Sequence, residues 1–129
     1  MKALLIVKCA VEVLAGLAFV LLPGAMFALL LGATLDAPGT YAFRMFGTAV
    51  FAIGLACWLA RDDSESAAAR ALIVALLIYD FAFAAILLAA DFGAGLSGIA
   101  LWPVVTLHSA LGIYSLLCLR KGPAPVHTG

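Results

Sequence analysis

The stretch that decides the fold covers residues 71–90 and reads ALIVALLIYDFAFAAILLAA. Its only charged side chain is Asp80, in the middle, and it contains neither Pro nor Gly. A helix of about 20 apolar residues crosses roughly 30 Å of hydrocarbon. This stretch therefore predicts a transmembrane helix that carries one acid near its centre.

Three more apolar stretches of spanning length lie outside it, at residues 3–22, 41–60 and 101–119. Short connections separate them, so sequential helices should be antiparallel neighbours. The sequence predicts an all-α fold: a four-helix transmembrane bundle in a single integral-membrane domain, residues 1–129.

The first connection contains a further apolar segment, residues 26–32, which is too short to cross a bilayer. We expect a short interfacial or re-entrant helical turn there. In the middle connection, residues 62–70, either Asp63 or Ser64 is expected to cap the third helix, with Ser66 as the alternative.

The composition excludes a water-soluble domain of ordinary kind. Hydrophobic residues make up 67% of the chain and charged residues 11%, where soluble chains have about 45–50% and about 25%. The net charge is zero and the basic residues are scattered, so nucleic acid is not an expected partner. The partner that the composition predicts is the lipid bilayer.

The distribution of basic residues predicts the orientation. Both ends of the chain and the middle connection carry Lys or Arg, whereas the third connection has none and the first has only Arg44, just inside the second span. Lys and Arg accumulate on the cytoplasmic side of membrane proteins. Both termini are therefore predicted to be cytoplasmic.

Three ionisable residues from three different spans fall near the bilayer midplane: Glu12, Asp80 and His108. Each costs roughly 2.5–3.5 kcal/mol to insert there, so such groups normally face the bundle interior and pair. They predict a shared buried polar core. With Arg44 on the second span, they are the candidate residues for a ligand or proton site.

Each candidate also has a purely structural interpretation. Glu12 is four residues after Lys8, which suits a local ion pair, although the Lys8 stem could also reach the interface. Arg44 accompanies Gly47 and Gly54 on one side of its helix, which suits either a packing stripe or an anion contact. Asp80 and His108 are expected to be hydrogen-bonded neighbours, with a proton-handling pair or a metal site as alternatives.

The three cysteines, Cys9, Cys57 and Cys118, fall toward the predicted cytoplasmic ends of their helices. Disulfides are not expected beside a reducing compartment. The thiols could bind a soft metal, but small apolar packing groups explain them without one. We therefore predict no metal and no cofactor.

The chain contains several short motifs, in this order: Leu22-Pro23, Arg44-x-x-Gly47, Gly54-x-x-x-Trp58-x-x-Arg61, Tyr79-Asp80, and Leu101-Trp102-Pro103 before His108. Together they resemble the small four-helix inner-membrane proteins of bacteria that are loosely grouped with DoxX-like proteins. The resemblance covers nearly the whole length. It implies the four-helix fold and a bacterial inner membrane, and it implies no established activity.

Two classes of function fit these features. The chain could be a non-catalytic accessory or assembly module that packs against membrane partners or itself, which the Gly47 and Gly54 stripe favours. It could instead bind or move a small hydrophobic ligand, such as a quinone or lipid, or protons, through the midplane polar residues. No nucleotide-binding loop, nucleophile elbow or HExxH motif occurs, so no catalytic residue is predicted.

Overall fold

A computed structural model describes residues 1–121 and is built from five α-helices. Their bounds are α1 Lys2–Leu21, α2 Pro23–Leu31, α3 Ala37–Ala60, α4 Ala67–Ala94 and α5 Leu101–Arg120. Four of them, all except α2, are long and apolar enough to cross a membrane. The predicted all-α bundle of four spanning helices is therefore confirmed. The C-terminal end, from Gly122 onward, lies outside the described residues.

The bundle consists of two closely packed helix pairs. α1 packs mainly against α3, and α4 packs mainly against α5, while the two pairs touch each other less extensively. We call the end that contains α2 and the α4–α5 connection the α2 end. The opposite end, with the start of α1 and the end of α5, is the terminal end.

Glycines explain how closely α1 and α3 approach. A Cβ added at Gly16 would lie 2.5 Å from the backbone nitrogen of Phe51, and one at Gly54 would lie 2.8 Å from that of Val13. Small residues at such positions let helix backbones touch in a membrane. Gly47 is also buried, against the Phe19 side chain. The glycine stripe predicted on the second span is thus an internal contact with α1.

The short helix α2 fills the α2 end without crossing the bundle. Pro23 occupies its first turn, where a missing N–H is tolerated. Gly32 ends it in the left-handed conformation, with φ 67°. Its 9 residues span about 14 Å, so α2 is too short to span. The short apolar helix predicted at residues 26–32 is present and begins three residues earlier.

Backbone hydrogen bonds fasten α2 to the α4–α5 connection. The Gly98 N–H donates to the Leu30 carbonyl at 3.0 Å, and the Ala100 N–H donates to the Leu29 carbonyl at 2.8 Å. These two carbonyls lie in the last turn of α2, where a helix leaves them without internal partners. The contact therefore ties the first half of the chain to the start of α5.

Two helices are longer than the sequence predicted, because their caps lie upstream of the apolar runs. α3 starts at Ala37 rather than at residue 41, since the Asp36 side chain accepts a hydrogen bond from the Gly39 N–H at 2.7 Å. α4 starts at Ala67, capped by Ser66, which was the alternative cap predicted for it. It also continues beyond residue 90 to Ala94.

Large apolar side chains cover the outer faces of the spanning helices. Examples from each spanning helix are Leu14, Leu59, Ile86 and Ile113, all more than half exposed. Water would leave such a surface unfavourably solvated, whereas lipid tails would not. The chain is accordingly a multi-pass membrane protein.

Candidate functional site

Four ionisable side chains are buried together near the middle of the bundle. Lys8 and Asp80 are 0% exposed, Glu12 is 1% exposed and His108 is 6% exposed. α1 supplies Lys8 and Glu12, α4 supplies Asp80, and α5 supplies His108. We call these four residues the polar cluster. It lies where the α1–α3 pair meets the α4–α5 pair.

Asp80 joins the two pairs. Its Oδ1 atom accepts a hydrogen bond from Lys8 Nζ at 2.5 Å and lies 2.9 Å from Nδ1 of His108. The predicted contact between Asp80 and His108 is therefore confirmed. It follows from the short connection that folds α5 back along α4. The second oxygen, Oδ2, is buried and has no hydrogen-bond partner among residues 1–121.

Lys8 is the cation of the cluster. Its Nζ atom also lies 3.4 Å from Oε1 of Glu12, so the predicted local ion pair is present. The shorter contact, however, crosses to Asp80 on α4. The stem of Lys8 does not reach the interface, because the whole side chain is enclosed. Lys8 was not among the predicted site residues, although a cation near two midplane acids would stabilise a negative charge on either of them.

Aromatic rings enclose the cluster on one side. The Tyr79 ring lies 5.6 Å from the His108 ring in an edge-on arrangement, and Phe83 lies 4.7 Å from His108, both between centroids. Lys8 Nζ is 5.8 Å from the centre of the Tyr79 ring. Tyr79, like Lys8, was not among the site residues predicted from the sequence. The signal was its position four residues before Phe83, which places both rings on one helix face.

Arg44 does not join the other predicted site residues. It lies in the second turn of α3, toward the α2 end, and its side chain is exposed. α3 turns Gly47, Val50, Gly54 and Cys57 inward and contributes no residue to the polar cluster. Arg44 and Glu12 do not meet, because Glu12 lies beside Gly54, far along α3 from Arg44.

A cavity of about 90 Å³ adjoins the polar cluster on the side of the α2 end. Glu12, Tyr79 and His108 form its polar part. The rest of its wall is apolar and comes from α1, α2, α4 and α5: Val11, Ala15, Phe19, Met26, Leu30, Phe83, Val104 and Leu107. An apolar pocket with a few convergent polar groups is the usual form of a small-molecule site.

The other side of the cluster, toward the terminal end, is packed solid. Leu4, Leu5, Cys57 and Ile73 are 0% exposed there, and Leu76 is 2% exposed. Cys9 and Cys118 pack against this group, so the thiols contact apolar side chains, as expected of packing residues. In residues 1–121, no group of His, Cys, Asp and Glu side chains is arranged to hold a metal ion. Among residues 1–121, apolar side chains thus cover the terminal side of the cluster, and the cavity lies on its other side.

The arrangement suits hydrogen bonding and proton exchange more than bond-making chemistry. The Asp80 contact fixes the orientation of the His108 ring, as a carboxylate partner commonly does for histidine. Glu12 and His108 both border the cavity, so a molecule inside it would meet two groups that exchange protons readily.

Comparison of the chain with models of protein families, with curated proteins and with solved structures found no match.

Proposed function

We propose that this protein binds a small lipid-like molecule inside the membrane, in the cavity between its two helix pairs. The observation that carries the proposal is the division of the cavity wall. Its inner part presents Glu12, Tyr79 and His108, and the rest is apolar. A molecule with a polar head and a hydrophobic body matches both parts.

The alternative role as an accessory or assembly module loses its main support. That role rested on a glycine stripe free to pack against a partner. In the structure, Gly47 and Gly54 pack against α1 and are not free to contact a partner protein. A partner would have to dock on the exposed aliphatic faces, which lipid covers equally well.

Binding is favoured over transport because the cluster borders the cavity on one side and packed apolar side chains on the other. A transported proton or solute needs access from both sides of the membrane in turn. The fully buried group around Leu5, Cys57 and Ile73 blocks the terminal end. A molecule that enters the cavity would leave by the way it came.

The proposal includes a location and an orientation. The basic residues favour an orientation with both termini in the cytoplasm, and a bacterial inner membrane, with kinship to the DoxX-like group that implies it, remains part of the proposal. The α2 end would then face the periplasm. Reporter fusions within residues 62–70 should read cytoplasmic and fusions near Asp36 or Gly95 periplasmic; the reverse result would overturn the orientation and leave the cavity intact.

A pair of alanine variants on α1 tests the binding site. Ala15 lines the cavity, whereas Ala10 is exposed on the same helix. Ala15→Leu should fill the cavity and Ala10→Leu should not. After mild detergent extraction, native mass spectrometry should detect a co-purifying small molecule on the wild-type protein and on Ala10→Leu, and its loss from Ala15→Leu.

Thermal unfolding in detergent separates loss of the site from loss of the fold. Ala15→Leu should melt at or above the wild-type temperature, because it fills empty space next to Phe19 and Leu30. A folded Ala15→Leu variant that retains the same small molecule would refute the proposal. Co-purifying membrane proteins, rather than a small molecule, would favour the accessory module.

A further inference from the structure

We infer that the occupant of the cavity is an uncharged, single-chain molecule whose head is a hydroxyl group, held between Glu12 and His108. The inference rests on the proposed function and specifies its ligand. Three features of the site carry it: the charge balance of the polar cluster, the free nitrogen of His108, and the size of the cavity.

The first feature is the charge balance. Lys8 supplies one positive charge and sits 2.5 Å from Asp80, which balances it. Glu12 adds a second acid, whose contact with Lys8, at 3.4 Å, is longer than the contact of Lys8 with Asp80. A net negative charge in this apolar interior would be costly. With His108 uncharged, the cluster is neutral when Glu12 keeps its proton, and the Glu12 carboxyl group then offers an O–H donor.

The second feature is the nitrogen of His108 that does not face Asp80. With Nδ1 engaged by the carboxylate, the neutral ring carries its proton there and leaves Nε2 as an acceptor. Nε2 has no hydrogen-bond partner within residues 1–121, and it is not fully enclosed by protein atoms. Since His108 lines the cavity, Nε2 is available to a ligand.

Besides Tyr79, which lines the same space, Glu12 and His108 thus present one donor and one acceptor to the cavity. A hydroxyl group both donates and accepts, so it satisfies the two together. An ether, ketone or quinone oxygen only accepts, and would leave Nε2 without a donor. A carboxylate head would add negative charge beside Asp80 and Glu12, and an ammonium head would lie close to Lys8.

The third feature is size. A cavity of roughly 150 Å³ is known to admit one benzene ring, and this cavity measures about 90 Å³. A substituted ring such as a quinone is therefore too large to be enclosed in the cavity, whereas the end of a straight alkyl chain fits inside it. The cavity is only partly enclosed, so the remainder of such a chain can extend out of it.

A three-probe titration tests the head group. The protein is held in a zwitterionic detergent without hydroxyl groups, and binding is followed by NMR of 1-octanol, octyl methyl ether and octanoate, each labelled with ¹³C at C1. Empty micelles serve as the blank. Octanol should bind about tenfold more tightly than the ether, as expected for one extra hydrogen bond to a buried acceptor. Octanoate should bind no better than the ether.

Variants assign the two contacts. His108→Phe keeps a ring but removes Nε2, and should reduce octanol affinity to that of the ether. Glu12→Gln keeps a donor and should retain octanol, whereas Glu12→Leu should not. Infrared spectroscopy of the wild type should show the carbonyl band of a protonated carboxylic acid, and Glu12→Gln should lack it. Ala15→Leu is the control for a blocked cavity.

The possible failures are distinct. Equal affinity for octanol and the ether, blocked by Ala15→Leu, would overturn the hydroxyl head and leave lipid binding standing. Binding of a short-chain quinone in preference to octanol would do the same. No binding of any probe would contradict the proposed function itself. A protonated-acid band that persists in Glu12→Gln would refute the charge balance on which the donor depends.

Discussion

Two Lys–Asp ion pairs have similar distances but very different exposure to solvent. Their lysines, Lys2 and Lys8, lie six residues apart at the start of the chain. Lys2 and Asp62 meet at 2.7 Å with each side chain 59% exposed. Lys8 and Asp80 meet at 2.5 Å with both side chains fully enclosed. The pairs therefore separate the effect of surroundings from the effect of distance.

The exposed pair exchanges water contacts for a contact of similar strength, and ions screen it. In the buried pair, no bulk water can solvate a charge that loses its partner. Each of its charges would be stranded without the other, and removing one partner of such a pair is strongly destabilising. A short ion-pair distance alone consequently says little about stability.

The largest effect is expected from Lys8→Met. Met fills a similar volume but leaves Asp80 buried without its cation, so the free energy of unfolding should fall by about 3–5 kcal/mol. Unfolding by SDS in mixed micelles, followed by helical circular dichroism, measures the change. A loss no greater than that of Lys2→Met would mean that the two environments do not differ as described.

Asp80→Asn should have an intermediate effect. The amide can still hydrogen-bond His108, which alone would make the change mild, but it no longer balances Lys8. Glu12 lies 3.4 Å from Lys8 and can take over as the negative partner by releasing its proton. A loss of about 1–3 kcal/mol is expected, together with disappearance of the protonated-acid infrared band. An unchanged band would show that Glu12 does not compensate.

Lys2→Met should have the smallest effect. It removes an exposed ion pair, and water solvates the remaining Asp62 carboxylate. Its unfolding curve should overlay that of the wild type, and added salt should remove any small difference. A salt-insensitive loss would show that this end of the bundle is less accessible to water than its exposure indicates.

The sequence predicted most of the fold because the thickness of a bilayer sets the length of a spanning helix, and an apolar run of that length is visible in the sequence. The spans at residues 71–90 and 101–119 needed only the adjustment of their ends. The start of α3 was misplaced because Asp36 and Pro38 look like loop residues, although an acid cap followed by proline is also a helix start.

The polar site was only partly predictable. Depth along each helix brought Asp80 and His108 to one level, and the short α4–α5 connection made them neighbours. Depth does not report which way a side chain points, so Arg44 was grouped with residues that it does not meet. The place of Lys8 depends on how the α1–α3 pair docks against α4, a long-range contact that local spacing does not reveal.

The i, i+4 spacing of Lys8 and Glu12 has a consequence for biosynthesis. Asp80 follows Lys8 by 72 residues, so at about 5–20 residues per second the ribosome needs roughly 4–14 s to deliver it. Throughout that interval the first span carries a lysine in its N-terminal half without Asp80 as a partner. Glu12 emerges within a second of Lys8 and can act as a temporary counterion. When α4 arrives, Asp80 takes Lys8 at the shorter distance, and Glu12 is released to face the cavity.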